Sequence, residues 1–323
     1  MKPWLWIPPK WAHNLSDIFL KSYGQFIHGE IPKWRSFRWR GIEFANRLGI
    51  AGGVDKNGDY IDSLWSLGSG FLEIGTVTPR PQDPNPGKVM DRDNKELAIW
   101  NKMGFPGKGA DYVQKILENS SKTENKKTPI FINIGKNRST RNEDAYQDYL
   151  YCMTKLSPLA DAFVINISSP NTKDLRKIQE QDALHQFLKQ LVGKQRKPLL
   201  LKLSPDVTEV ELSNILNTSA DLGIDGWVLN NTTVSRPPGL PFPSEGGMSG
   251  RPLAEISKRQ LKLAISILGP KRRDKLIISV GGVLTPENVK ERLDLGADLV
   301  EVYAALIFDG PFFFKKTASY FNT

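Results

Sequence analysis

A chain of 323 residues with 39% hydrophobic content is long enough to bury a substantial core, as one large domain or as two. Its net charge of +9 favours anionic partners such as an acidic substrate, a cofactor phosphate or lipid headgroups, while nucleic acid ranks last because no helix-turn-helix, zinc-finger or RNP-like pattern occurs. The single cysteine, Cys152, excludes an internal disulfide, and the three histidines (His13, His28 and His185) have no metal-ligand spacing, so no bound metal is expected.

Residues 1–40 form a segment apart, with five tryptophans (Trp4, Trp6, Trp11, Trp34 and Trp39) among basic residues. No apolar run here approaches a membrane span, and no signal-peptide core with a cleavage site is present. Trp11, Leu15, Ile18 and Phe19 fall near helical spacing, continued by Tyr23 and Phe26. Aromatic and basic residues interleaved in this way fit a helix lying in a membrane interface, or a helix capping the main domain with its apolar face inward.

From Gly41 the texture becomes α/β. Strand-like runs recur at 48–53, 71–76, 130–135, 163–168, 199–204, 226–231, 276–282 and 299–305, each followed by small or polar residues. Intervening segments such as DYIDSLWSLG, DALHQFLKQLVG and LTPENVKERLDLG carry helical spacing with a glycine stop. Eight such repeats are the number a closed (β/α)8 barrel needs, so the fold expected is a TIM barrel with a small N-terminal helical extension. An open doubly wound sheet is the alternative, weakened because no GxGxxG opens the first βα unit. Cys152 lies in the helix-like DYLYCMTKL and is expected to be a packed thiol.

In a barrel the C-terminal strand ends converge on one face. Those ends supply Gly52, Gly53, Asp55 and Lys56 after the first strand, Thr76 after the second and Asn133 in the third. The fourth to sixth supply Asn166, Lys202, and Asn230 with Asn231, Thr232 and Thr233; the seventh supplies Gly281–Gly282 and the eighth Tyr303–Ala304. Glycines after strand seven and small residues after strand eight occupy the phosphate site of this fold. Asp55 is the main acid of these loops, which disfavours a two-carboxylate hydrolase.

The stretch DAFVINISSPNTKDLR (161–176) is a buried strand that ends in small polar residues, with Pro170 stiffening the loop that carries Ser168, Ser169 and Asn171. Its amides suit a flat polar ligand and its serine a proton relay, but an ordinary helix-capping turn accounts for this stretch equally well. Two further loops stand out. IWNKMGFPGKG (99–109) is too apolar for a solvated loop, and TVSRPPGLPFPSEGGMSGRPL (233–253) has little expected regular structure and the length of a lid or binding element.

Taken together, AGGVDKNG, EIGTVTPRPQ, NKMGFPGKG, INIGKN, INISSPNT, LLKLSPD, NNTT, GGMSGRPL and SVGG resemble the dihydroorotate dehydrogenase family, in its membrane-associated, quinone-using class, from about Gly41 to the C-terminus. The resemblance implies an FMN-binding barrel over 41–323 and a membrane and quinone-access segment over 1–40. It implies FMN contacts at Gly52, Gly53, Lys56, Thr76, Asn133, Asn166, Lys202, Asn230, Gly250, Gly282, Tyr303 and Ala304. Dihydroorotate would meet Lys56, Asn101, Lys102, Met103, Gly104, Phe105, Asn166, Asn171, Asn231 and Thr232.

Ser169 stands where the quinone-linked class has its serine base and cytosolic classes typically have cysteine. The chemistry implied is proton removal from C5 by Ser169 with hydride loss from C6, feeding a membrane quinone in pyrimidine biosynthesis. A monomer is expected, peripheral on the cytoplasmic side of a bacterial inner membrane. Three positions depart from the family pattern: Asn230 where threonine is frequent, Ala304 where serine is common, and Lys102 where arginine is frequent.

Overall fold

The computed structural model describes residues 3–7, 20, 30–121 and 128–323. A hairpin of β1 (Phe37–Trp39) and β2 (Ile42–Phe44) leads into the barrel, whose first strands are β3 (Leu48–Ile50) and β4 (Phe71–Val77). Two short strands, β5 (Met90–Asp93) and β6 (Ala98–Asn101), lie outside it. The barrel resumes with β7 (Ile130–Ile134), β8 (Ala162–Asn166), β9 (Leu199–Leu203) and β10 (Gly226–Leu229). After the outlying β11 (Gly247–Gly250) it closes with β12 (Leu276–Val280) and β13 (Leu299–Val302). The eight barrel strands are parallel and hydrogen-bonded in the ring β10-β12-β13-β3-β4-β7-β8-β9, so every apolar run expected to be a strand is one.

The helices alternate with these strands. They are α1 (Ile61–Ser66), α2 (Ala110–Ser121), α3 (Ala145–Leu156), α4 (Gln181–Leu191) and α5 (Glu209–Asp221), followed by α6 (Ala254–Leu268), α7 (Pro286–Asp294), α8 (Ala304–Phe308) and α9 (Phe313–Asn322). Local chemistry sets their starts. Thr208 and Glu211 form a reciprocal capping box on α5, and Thr285 accepts the Asn288 N–H with Pro286 opening α7. Cys152 is buried on α3, packed as expected.

Strand periodicity sorts the side chains into two cores. One parity (Leu72, Ile74, Ile132, Ile165, Leu201, Val300) packs outward against the helices, and the other fills the barrel. At the N-terminal end the filling is aromatic: Phe44 of the hairpin meets Phe71 and Phe131 at centroid distances of 5.8 and 6.1 Å, both edge-on. The hairpin is therefore the plug of the barrel floor. The expected boundary at residue 40 falls at its tip, and Trp34 and Trp39 belong to the barrel. Trp34 stacks on Phe321 at 4.3 Å, and Trp39 donates to the Asp274 carbonyl.

The long 233–253 segment was expected to have little regular structure, yet its end is strand β11, paired antiparallel with β6, which pairs with β5. Gly-Met-Ser-Gly has poor intrinsic strand propensity, and its partner lies far away in sequence, so the pairing is tertiary in origin. Arg236 gathers the rest of the segment by donating to the carbonyls of Thr233, Ser235, Pro243, Glu245 and Gly246.

Of the helix expected over Trp11 to Phe26 only Leu20 is among the described residues; it packs on the core, and its carbonyl accepts from Ser63 Oγ. Residues 3–7 are docked on the barrel: Trp4 donates its indole N–H to Ile307 O at 2.9 Å, and Arg92 donates to the carbonyls of Trp4, Leu5 and Ile7. Among the described residues no helix is long and apolar enough to cross a membrane. Phe44→Ala, which empties the plug, is expected to cost about 3–5 kcal/mol in chemical denaturation; a loss below 1 kcal/mol, the scale of a surface change, would show that the floor does not depend on it.

Candidate active site

A cleft opens at the C-terminal ends of the barrel strands, with about 1140 Å³ of non-atom space out to its mouth. Gly52, Gly53 and Lys56 after β3, Thr76 of β4 and Asn133 of β7 line it, as do Asn166 of β8 and Lys202 of β9. Asn230, Asn231 and Thr232 after β10, Gly250 of β11, Gly282 after β12, and Tyr303 and Ala304 after β13 complete the wall. Ser169 and Asn171 enter from the loop after β8, and Asn101, Met103, Gly104 and Phe105 from β6 and its following loop.

Of the residues expected to contact FMN or dihydroorotate, Lys102 is the one not on the wall. It pairs with Glu245 at 2.6 Å, because extended backbone sends it to the face opposite Asn101 and Met103. Asp55 does not reach the cleft either. Its carboxylate accepts the backbone N–H groups of Asn57, Gly58, Asp59 and Tyr60, and so shapes the loop that carries Lys56.

Hydrogen bonds order the polar wall in two groups, one running from Lys202 to Ser168 and one joining Asn101, Asn171 and Ser169. Lys202 Nζ donates to Glu73 Oε1 at 2.5 Å, and Asn133 Nδ2 donates to the same oxygen at 2.7 Å. Asn166 Nδ2 reaches Asn133 Oδ1 at 3.2 Å and Thr76 Oγ1 at 3.0 Å. Asn231 Nδ2 continues to Asn166 Oδ1 at 3.2 Å and Ser168 Oγ at 2.9 Å. Asn171 donates its amide to Asn101 Oδ1 at 2.8 Å and its backbone N–H to Ser169 Oγ at 3.2 Å. Arg176, missed in the sequence, ties the Ser168 carbonyl to the Thr232 carbonyl and pairs with Asp206 at 2.8 Å.

Two acids were also missed, Glu73 of β4 beneath the cleft and Glu301 of β13 in its lining, both buried with Lys202. A signal was present: each is a lone charge in an apolar strand, at the parity of inward-facing Phe71 and Leu299. Gly52 has to be small here, since a Cβ would lie 2.1 Å from Glu73 Oε1. Burial opposes the Lys202 charge, but Glu73 and then Glu301 outweigh it, so the ammonium titrates above its ordinary range. Burial first, then the neighbouring Glu73, drives Glu301 well above its ordinary value of 4.5, with Lys202 opposing only in part.

Among the described residues Glu73 Oε2 and both Glu301 oxygens lack a partner if both acids are ionised. A proton on Glu301 removes the conflict by donating to Glu73, leaving one lysine cation, one carboxylate and one neutral acid. Because the folded-state value is raised, this stabilisation is complete below about pH 4.5 and declines towards the folded-state value at about 1.4 kcal/mol per pH unit. Glu301→Gln should flatten that decline in melting curves taken from about pH 5 to about pH 9. An unchanged slope would mean that Glu301 holds no extra proton.

The family model for dihydroorotate dehydrogenase matches residues 36–322. Among curated proteins, the dihydroorotate dehydrogenase (quinone) of Acinetobacter baumannii is 42% identical over 323 residues, covering 96% of this chain and 95% of the relative. That of Legionella pneumophila is 40% identical over 305 residues, covering 91% and 86%. The solved DHODH of Eimeria tenella in complex with ferulenol superposes with a TM-score of 0.88 at 31% identity, covering 96% of this chain and 90% of that one. With the eight-stranded barrel and the family match running from the floor hairpin to the last helix, the chain belongs to the dihydroorotate dehydrogenase family.

Proposed function

We propose that this cleft oxidises dihydroorotate to orotate on a bound FMN, with a quinone as final acceptor and Ser169 as the base. The family supplies the reaction. The observation that most supports its placement is a set of buried amide atoms without partners among the described residues: both polar atoms of Asn230, and Oδ1 of Asn171. An unsatisfied buried polar group costs about 1–3 kcal/mol, so such atoms persist where a ligand pairs with them. A flavin and a dihydropyrimidine both present donors and acceptors along flat edges, which these amides match.

FMN would be held by Lys202, Asn133, Asn166, Asn230 and Thr76 along its polar edge, with its phosphate at Gly250, Gly282, Tyr303 and Ala304. Ala304 stands where family members commonly carry a serine and brings only its backbone N–H. Bound FMN supplies the acceptor for the hydride that leaves C6. Asn101, Asn171, Asn231 and Thr232 would hold the pyrimidine, and a ring without matching groups would leave them unpaired. Lys56 offers a positive charge for the substrate carboxylate.

Ser169 Oγ already accepts the Asn171 N–H, which fixes the hydroxyl and favours negative charge on it as the C5 proton departs. Thr172, three residues on, has a buried hydroxyl with no partner among the described residues. A water held by that hydroxyl would carry the proton away from Ser169. Electrons would pass to a quinone arriving along residues 1–29, with the protein peripheral on a membrane surface.

Ser169→Ala should slow dihydroorotate-driven flavin bleaching by about 10²–10⁴-fold in stopped flow with flavin still bound. An unchanged rate would remove Ser169 as the base. Deleting residues 1–29, which spares Trp34 and the floor hairpin, should abolish quinone reduction while bleaching persists. Full quinone turnover, or a preference for fumarate or NAD, would instead favour a soluble acceptor.

A further inference from the structure

Arg292 of α7 is only 2% exposed, yet among the described residues it has no carboxylate at ion-pair distance. The two acids nearest in charge, Glu255 and Glu291, are both engaged by Lys258, at 2.8 and 2.9 Å. Burial lowers the guanidinium to about 10, with Glu291 and Glu255 opposing, so it remains a cation at neutral pH. A buried cation without a counter-charge is costly unless something outside the protein completes it.

Its hydrogen bonds show where that partner belongs. Arg292 Nη2 donates to Ala254 O at 2.8 Å and to Gly281 O at 3.2 Å. Ser257 Oγ meets the same two carbonyls, at 3.0 and 2.7 Å. The end of β12 and the first turn of α6 are thus clamped together, and contact is so close that a Cβ on Gly282 would lie 2.2 Å from Ala254 Cα. A trans peptide sets its C=O and the following N–H on opposite sides. Drawing the Gly281 carbonyl towards Arg292 therefore turns the Gly282 N–H away from it, at a residue that lines the cleft.

We propose that Arg292 is a positioning residue for a phosphate monoester: it aims the Gly282 N–H at the phosphate and supplies the buried positive charge that the phosphate neutralises. The inference rests on FMN being the bound cofactor, and it adds a charge that does not itself line the cleft.

Riboflavin, which lacks the phosphate, separates this role from simple bracing. The flavin-stripped full-length protein, Arg292→Met and Arg292→Lys would each be titrated with FMN and with riboflavin by flavin fluorescence, after circular dichroism establishes that each is folded. Wild type should prefer FMN. Arg292→Met should lose about tenfold or more of that preference with riboflavin affinity nearly unchanged, and Arg292→Lys should recover part of it. Equal weakening for both ligands would make Arg292 a brace only, and an intact preference would overturn the proposal. Wild type with no preference for FMN would overturn both this inference and the FMN reading beneath it. If Arg292→Met does not fold, an Arg292→Lys protein as selective as wild type supports the charge, and one no more selective for FMN than for riboflavin overturns it.

Discussion

The Lys202–Glu73 ion pair, 2.5 Å long and buried inside the barrel, is the constraint on which the rest of the site depends. Removing either partner would leave an uncompensated charge at a cost of about 3–5 kcal/mol, so the pair fixes both side chains. Asn133 shares the same Glu73 oxygen, and Asn166 and Asn231 follow in turn, so one carboxylate orders side chains from β4, β7, β8, β9 and the loop after β10. Below this layer the filling is aromatic, and above it the cleft begins.

That layering follows from the two-residue period of a strand. In β4 the inward residues are Phe71, Glu73 and Gly75, running from greasy floor to polar midlayer to small rim. In β13 they are Leu299 and Glu301, with Tyr303 just beyond its end. The same period makes a barrel that is solid at one end and reactive at the other.

The eight strands were legible because buried parallel strands are continuous apolar runs, and most of the cleft was legible because it gathers at their ends. Glu73 and Glu301 were passed over because attention to strand ends ignores a charge one layer deeper. Arg176 and Arg292 escaped because a helix or loop arginine looks solvated until its carbonyl partners are known. Lys102 was assigned with its neighbours, though strand alternation turns it away. Strand β11 could not be foreseen from Gly-Met-Ser-Gly, whose pairing with β6 joins segments far apart in sequence.

A proton held by Glu301, beside a charged Lys202, is the central claim, and infrared difference spectroscopy tests it most directly. At neutral pH the wild-type protein should show the C=O stretch of a buried protonated carboxylic acid, and Glu301→Gln should lose that band. Its absence from wild type, or its persistence in Glu301→Gln, would contradict the claim.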